Sequence, residues 1–143
     1  MAKKKSFISI TLNGFDELLK KIEDAGGSIQ KAVDSGIHKG AQIQDTELRA
    51  QMRKKRVDSG LVNRMPPPEI EWDGDTCIAR VGYTKGDYNP QAISDAYKAV
   101  FINYGTPRIA PREFINAAKR KAKPQIKKAQ EEVLNKILAR LEK

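Results

Sequence analysis

The sequence predicts an α+β fold, a small and largely antiparallel sheet packed against a long N-terminal helical segment and a long C-terminal helix. Three observations lead there. Apolar and polar residues alternate over 7–12 and again over 77–83, the two-residue period of half-buried strands. Apolar residues recur at three- and four-residue spacing over 15–25, 29–52 and 115–141, the period of amphipathic helices. Strand and helix patterns do not alternate regularly along the chain, which points to segregated layers rather than a doubly wound sheet. A length of 143 residues fits a single domain over 1–143. Within it, residues 1–5 read as a flexible basic arm and 84–94 as an exposed loop.

Residues 7–12, Phe-Ile-Ser-Ile-Thr-Leu, form the first strand, broken by Asn13-Gly14. Asn13 is expected to cap the next helix, with Asp16 in the capping-box place. Phe15, Leu18, Leu19, Ile22 and Ala25 make that helix's apolar face, and Gly26-Gly27 ends it. Ser28 opens a longer helix with a stripe of Ile29, Val33, Ile37, Ala41, Leu48 and Met52. Gly36 and Gly40 allow another backbone close. Lys31, Asp34, Lys39 and Asp45 rule out a membrane helix pair, so the glycines predict tight packing against the sheet. The helix closes on Arg53-Lys54-Lys55-Arg56, where the macrodipole favours positive charge.

Prolines 66–68 make an extended spacer. Residues 69–72 and 76–83 then read as a hairpin around Asp73-Gly74, with Cys77, Ala79, Val81 and Tyr83 on one face. The polar stretch 84–94 carries turn formers at Gly86-Asp87 and Asn89-Pro90. The apolar, aromatic run 96–104 is expected to return to the sheet as a third main strand, stopped by Gly105-Thr106-Pro107. From Pro111 one helix of about 45 Å runs almost to the end. Its stripe is Ile115, Ala118, Ala122, Ile126, Ala129 and Val133, widened by Leu134, Ile137, Leu138 and Leu141, and Pro124 is expected to kink it. The predicted order is β-α-α-β-β-β-α.

Composition narrows the function. Twenty-seven Lys and Arg against 18 acidic residues give a net charge of +9 and a pI near 9.7, which favours an anionic partner. Cys77 is the single cysteine and His38 the single histidine, so disulfide frameworks, zinc sites and serine–histidine triads are excluded. Asp58-Ser59-Gly60 lacks the paired glycines of a nucleophile elbow, and no Walker or Rossmann pattern occurs. Glu69, Glu71, Asp73 and Asp75 sit where solvated acids of an exposed hairpin sit, which is the simpler reading than a magnesium site. The expectation is no catalysis, no metal and no cofactor. The apolar stretch at the start is too short for a signal peptide, and no run is long enough to span a membrane.

Two passages carry a resemblance. Arg56-Val57-Asp58-Ser59-Gly60-Leu61 resembles a Pro-Val-Asp-Thr-Gly-x-Leu passage, and Asn103-Tyr104-Gly105-Thr106 followed by 109–118 is similar to an aromatic-Gly-Thr stretch with a proline–phenylalanine lead-in to the last helix. Both belong to the head–tail joining, neck or tail-completion proteins of tailed phages, the family typified by gene product ten of phage Hong Kong 97. Departures are Arg56 for proline, Ser59 for threonine, Leu61 directly after Gly60, Asn103 where glutamate is frequent, and Arg112-Glu113 between Pro111 and Phe114. The order of elements matches over nearly the whole chain. The resemblance implies a non-enzymatic virion component, assembled in the bacterial host cytoplasm, that forms a homo-oligomeric ring at the head–tail junction. Its neighbours would be head-completion, tail-terminator or tail-tube proteins.

On physical grounds the two passages are turns. Asp58 and Ser59 are expected to accept bonds from following amides, Gly60 to take positive φ, and Gly105 and Thr106 to turn the chain. Arg120, Lys121, Lys123, Lys127 and Lys128 fall away from the apolar stripe of the last helix and are the candidate contacts for lumen DNA or an acidic neighbour. Leu134, Leu138 and Leu141 widen the apolar arc and are the candidate subunit interface. The competing readings are a free basic nucleic-acid-binding protein, which lacks a helix–turn–helix, a zinc module or an aromatic platform, and an antitoxin-like or other partner-binding module.

Overall fold

Two long helices lying antiparallel over a three-stranded sheet define the α+β architecture. The computed structural model describes residues 6–84 and 95–142. The elements run β1 (Ser6–Ile10), α1 (Asp16–Asp24), α2 (Ile29–Lys54), α3 (Ser59–Asn63), β2 (Glu69–Asp73), β3 (Thr76–Thr84), α4 (Asp95–Tyr104) and α5 (Phe114–Leu141). The expected basic arm at 1–5 lies outside the described residues, as does the expected loop apart from Thr84, which closes β3.

β3 is the central strand, antiparallel to β1 and to β2. Cys77, Ala79, Val81 and Tyr83 share its buried face with Ile8 and Ile10 of β1. Against that face α2 lays Ile37, Ala41, Leu48 and Met52, all at most 1% exposed, while Ile29 at the stripe's expected start is exposed. Gly36 and Gly40 are the close-approach points. A Cβ on Gly40 would stand 3.0 Å from Ile10 Cγ2 and 2.9 Å from Gln130 Nε2, so this residue lets α2 touch both the sheet and α5. α5 pairs antiparallel with α2, bringing Ala118 to Gln44 and Gln130 to Gly36. A second apolar cluster of Phe15, Ile22, Ala32 and Leu134 seats α1 between the long helices.

The sheet has no third main strand from 96–104. That run is α4, with Ala96, Ala99 and Asn103 buried at helical spacing. A short apolar run reads equally as strand or helix, and here the two alanines and the acidic Asp95 in the first turn favour the helix. Asn13 does not cap α1. Its amide donates to Thr11 Oγ1 at 2.8 Å, and Phe15 holds the cap position without a side-chain bond. Ser28 does cap α2, accepting from the Lys31 amide. The hairpin's two-residue turn is Gly74-Asp75, one residue later than expected, because Asp73 pairs with Thr76.

Residues 57–61 are more regular than a turn. Asp58 caps the short helix α3, accepting from the Gly60 amide at 2.8 Å. Gly60 is helical, and positive φ falls instead on Arg56 (60°), just past the end of α2. α5 begins at Phe114, three residues after Pro111, behind a left-handed Glu113 (φ 42°). It continues through Pro124 as one helix of 28 residues, about 42 Å long.

Candidate functional surfaces

The two passages that carry the resemblance come together at one end of α2. Arg112 Nη1 donates to the Arg56 carbonyl at 2.7 Å and to that of Lys55 at 3.4 Å, tying the lead-in of α5 to the chain that opens α3. Val57, Leu61 and Phe114 are buried in the same core. The Tyr83 hydroxyl donates to the Leu61 carbonyl, and Arg49 of α2 donates to the carbonyls of Val62, Met65 and Pro66 while its Nε bonds Asp45 at 3.0 Å. These carbonyls end α3 and begin the proline spacer, where among the described residues no helix or sheet amide reaches them.

The second passage is an N-terminal cap built from a distance. Asn103 is 2% exposed, and its Oδ1 accepts from the Ile115 amide at 3.0 Å in the first turn of α5. Gly105 has φ +76°, and Thr106 Oγ1 accepts from the amides of Arg108 and Ile109. Tyr104 is 67% exposed. Val57, Leu61 and Phe114 are therefore core residues, Asp58 is a cap, Gly105 and Thr106 form a bend, and Ser59, Tyr104 and Pro111 lie on the surface.

Arg120, Lys121, Lys123, Lys127 and Lys128 are all exposed on α5. Residues 114–130 hold six basic side chains and no acidic one. Arg53, Lys54, Lys55 and Arg56 at the end of α2 are exposed as well. The expected interface leucines sit differently. Leu134 is sealed inside the subunit, so it is no surface residue, and Leu138 and Leu141 are half-buried against the α1 cluster. The widened arc of α5 is the seat of α1.

Burial keeps the Cys77 thiol protonated, pushing it up, with the charge of Asp34 adding to the effect. His38 Nε2 lies 3.5 Å from Asp34 Oδ2 on the exposed side of α2. Among the described residues no three His, Cys, Asp or Glu side chains converge to hold a metal ion, and no helix is long and apolar enough to cross a membrane. Burial, with the Asp95 charge adding to it, pushes the Tyr83 phenol up to about 12.

Arg64 grips Asp95 with two bonds, Nε to Oδ2 at 2.8 Å and Nη2 to Oδ1 at 3.0 Å, linking the end of α3 to the start of α4. The hydrogen bond from Arg64 holds the Asp95 carboxyl below its ordinary value of 3.8. A carboxylate lowered in the folded state stabilises the fold above its unfolded value, and that contribution is lost as pH falls through the lowered one. Amides of α4 are therefore expected to exchange faster below about pH 3.8 than at neutral pH, once intrinsic rates are corrected for. Asp95→Asn should remove this pH dependence and leave α4 with the faster exchange at neutral pH.

Comparison of the chain with family models, with characterised proteins and with solved structures gives no match.

Proposed function

We propose that the protein is a structural component of a tailed phage or prophage particle, a ring-forming neck or tail-completion protein of the head–tail junction that works without catalysis or cofactor. One observation carries the reading. The passages that resemble the family are far apart in sequence, and their matching residues Val57, Leu61 and Phe114 lie in one core, while Arg112, a departure from the family pattern, bonds the Arg56 carbonyl beside them. Antibody against the protein should label the head–tail junction of particles released by its host. Label spread over capsids, or none on particles, overturns the reading.

The exposed basic stretch of α5 over 119–128, which ends at Glu131 and Glu132 one turn further on, supports a place for DNA. In one subunit it is a solvated helix face. Repeated around a ring it becomes a belt of positive charge that DNA phosphates would neutralise. Phosphates rather than bases are the expected contacts, since a passing genome cannot be held by its sequence. Lys121→Glu, Lys123→Glu and Lys127→Glu together should leave the fold intact, because all three side chains are exposed. The titre of DNA-filled particles should fall at least about tenfold. An unchanged titre would reduce the belt to a solvated face. Tight, sequence-selective duplex binding would favour the free nucleic-acid-binding alternative.

A further inference from the structure

The molecule carries an apolar, basic knob at one end of α2 and a groove with acidic surroundings at the other. The knob is the bend between α4 and α5. Phe101, Tyr104 and Ile109 are 38%, 67% and 46% exposed, three of the large apolar side chains that face solvent. Phe101 and Tyr104 stand three apart on α4, and the Thr106–Ile109 bridge folds Ile109 back beside Gly105. Arg108 and Arg112 flank them and are exposed. An apolar group rimmed by charge is the signature of an interaction surface.

The groove, of about 460 Å³, lies between α2 and β2 and is lined by Gln30, Lys31, Asp34, Ser35 and Trp72. It is shallow and open to solvent, so an aromatic side chain would lie against the Trp72 wall rather than be enclosed. Trp72 Nε1 donates to Asp34 at 3.4 Å, which holds the indole as one wall. β2 is an edge strand, and the hairpin 69–75 holds four acids and no base. Glu69, Glu71, Asp73 and Asp75 are exposed, with Glu71 also engaged by Arg80. Asp34 marks the groove's place on α2 and Lys55 the knob's, so the two lie roughly 30 Å apart at 1.5 Å per residue.

We infer that the knob of one copy docks in the groove of the next, Tyr104 lying against Trp72 while Arg108 and Arg112 face the acidic hairpin. The occupant is a second copy because the chain holds both halves of the match, in shape and in charge. The two surfaces differ and sit at different places along α2, so copies docked head to tail spend one knob and one groove at each contact. Such a contact repeats from copy to copy and closes as a ring where the rotation per copy allows. Reciprocal docking of two copies would instead stop at a dimer, which sedimentation of the wild type would reveal and which would overturn the ring. The inference rests on the ring reading and gives it its subunit contact.

The test uses two exposed-site variants of the full chain, Tyr104→Glu with Arg108→Glu to disable the knob, and Ser35→Arg with Asp75→Lys to disable the groove. Circular dichroism and thermal melting verify the fold of each. Sedimentation should show the wild type associating and each variant weakened at least about tenfold. An equimolar mixture should form one-to-one heterodimers and nothing larger, since each pair retains one working contact. Variants that associate like the wild type, or a mixture that stays monomeric, would overturn the inference while leaving a ring built by other surfaces. A wild type monomeric up to millimolar concentration would overturn the inference and the ring together. Unchanged association with lost retention on duplex DNA would assign the knob to nucleic acid and overturn it too. Heterodimers in the mixture without label at the head–tail junction would uphold the contact and remove its proposed place in a virion.

Discussion

Leu134→Ala is expected to lower the unfolding free energy by about 3–4 kcal/mol. Leu134 is 0% exposed and shares its cluster with Phe15, Ile22 and Ala32. Ile22 is the one residue within α1 that is fully enclosed, with Leu18 and Leu19 partly buried beside it, so the cluster around Leu134 is what holds α1. Truncating the leucine leaves a cavity between α1, α2 and α5 that only partly collapses, which places the cost near the middle of the range for such changes. Urea unfolding followed by circular dichroism measures it, and hydrogen exchange should show α1 losing protection first. Leu138→Ser with Leu141→Ser acts on half-buried side chains of the same cluster, so its effect should also fall on stability. A cost below about 1 kcal/mol for Leu134→Ala would contradict this account.

Gly105→Val should be comparably severe, with a cost of about 3–5 kcal/mol. Two causes add. The residue sits at φ +76°, which a β-branched side chain strongly resists. A Cβ there would also stand 2.8 Å from the Ile109 oxygen and 2.8 Å from the Pro111 nitrogen, backbone atoms that cannot swing aside. Relief requires opening the bend between Thr106 and Ile109, which moves the lead-in of α5. A fall in Tm of about 10–20 °C is expected. Gly74→Ala separates the causes, because Gly74 has φ +61° with nothing within 4 Å of its Cβ position. It should lose only about 1 kcal/mol, the conformational share alone. Equal losses at the two sites would remove the steric argument.

The sequence makes the α+β class legible because the two hydrophobic periods are long and clean, at Ile37, Ala41, Leu48 and Met52 for the helix and at Cys77, Ala79, Val81 and Tyr83 for the strand. It misleads at 96–104, where nine residues of mixed apolar type satisfy either period and the decision falls to Asp95 and its tertiary partner Arg64. Asn13 misleads for the opposite reason. Its local competitor, Thr11, is two residues away and wins. The exposed basic face of α5 is legible from helical spacing alone. Hidden from any local pattern are Arg49, Arg112 and Asn103, because what they do is satisfy backbone groups of other segments, and sequence neighbours carry no trace of that. The leucines beyond Val133 show the limit of counting apolar residues. An arc wider than one packing face is equally a subunit interface or, as at Leu134, a seat for another helix of the same chain.

Two of the buried glutamines, Gln44 of α2 and Gln130 of α5, bond across the long helices and have a mechanical consequence. Gln44 Nε2 donates to the Ala118 carbonyl at 3.2 Å, and Gln130 Nε2 donates to the Gly36 carbonyl at 3.2 Å and the Thr11 carbonyl at 3.4 Å. Sliding α5 along α2 by one turn, about 5.4 Å, would strand both amides in the interior at roughly 1–3 kcal/mol each and drive side chains into the notch at Gly40. Apolar stripes alone would resist such shear weakly, since one greasy register resembles the next. With the glutamines as dowels the helices bear load as one beam, so a push at one end of the subunit arrives at the other as displacement rather than as slip.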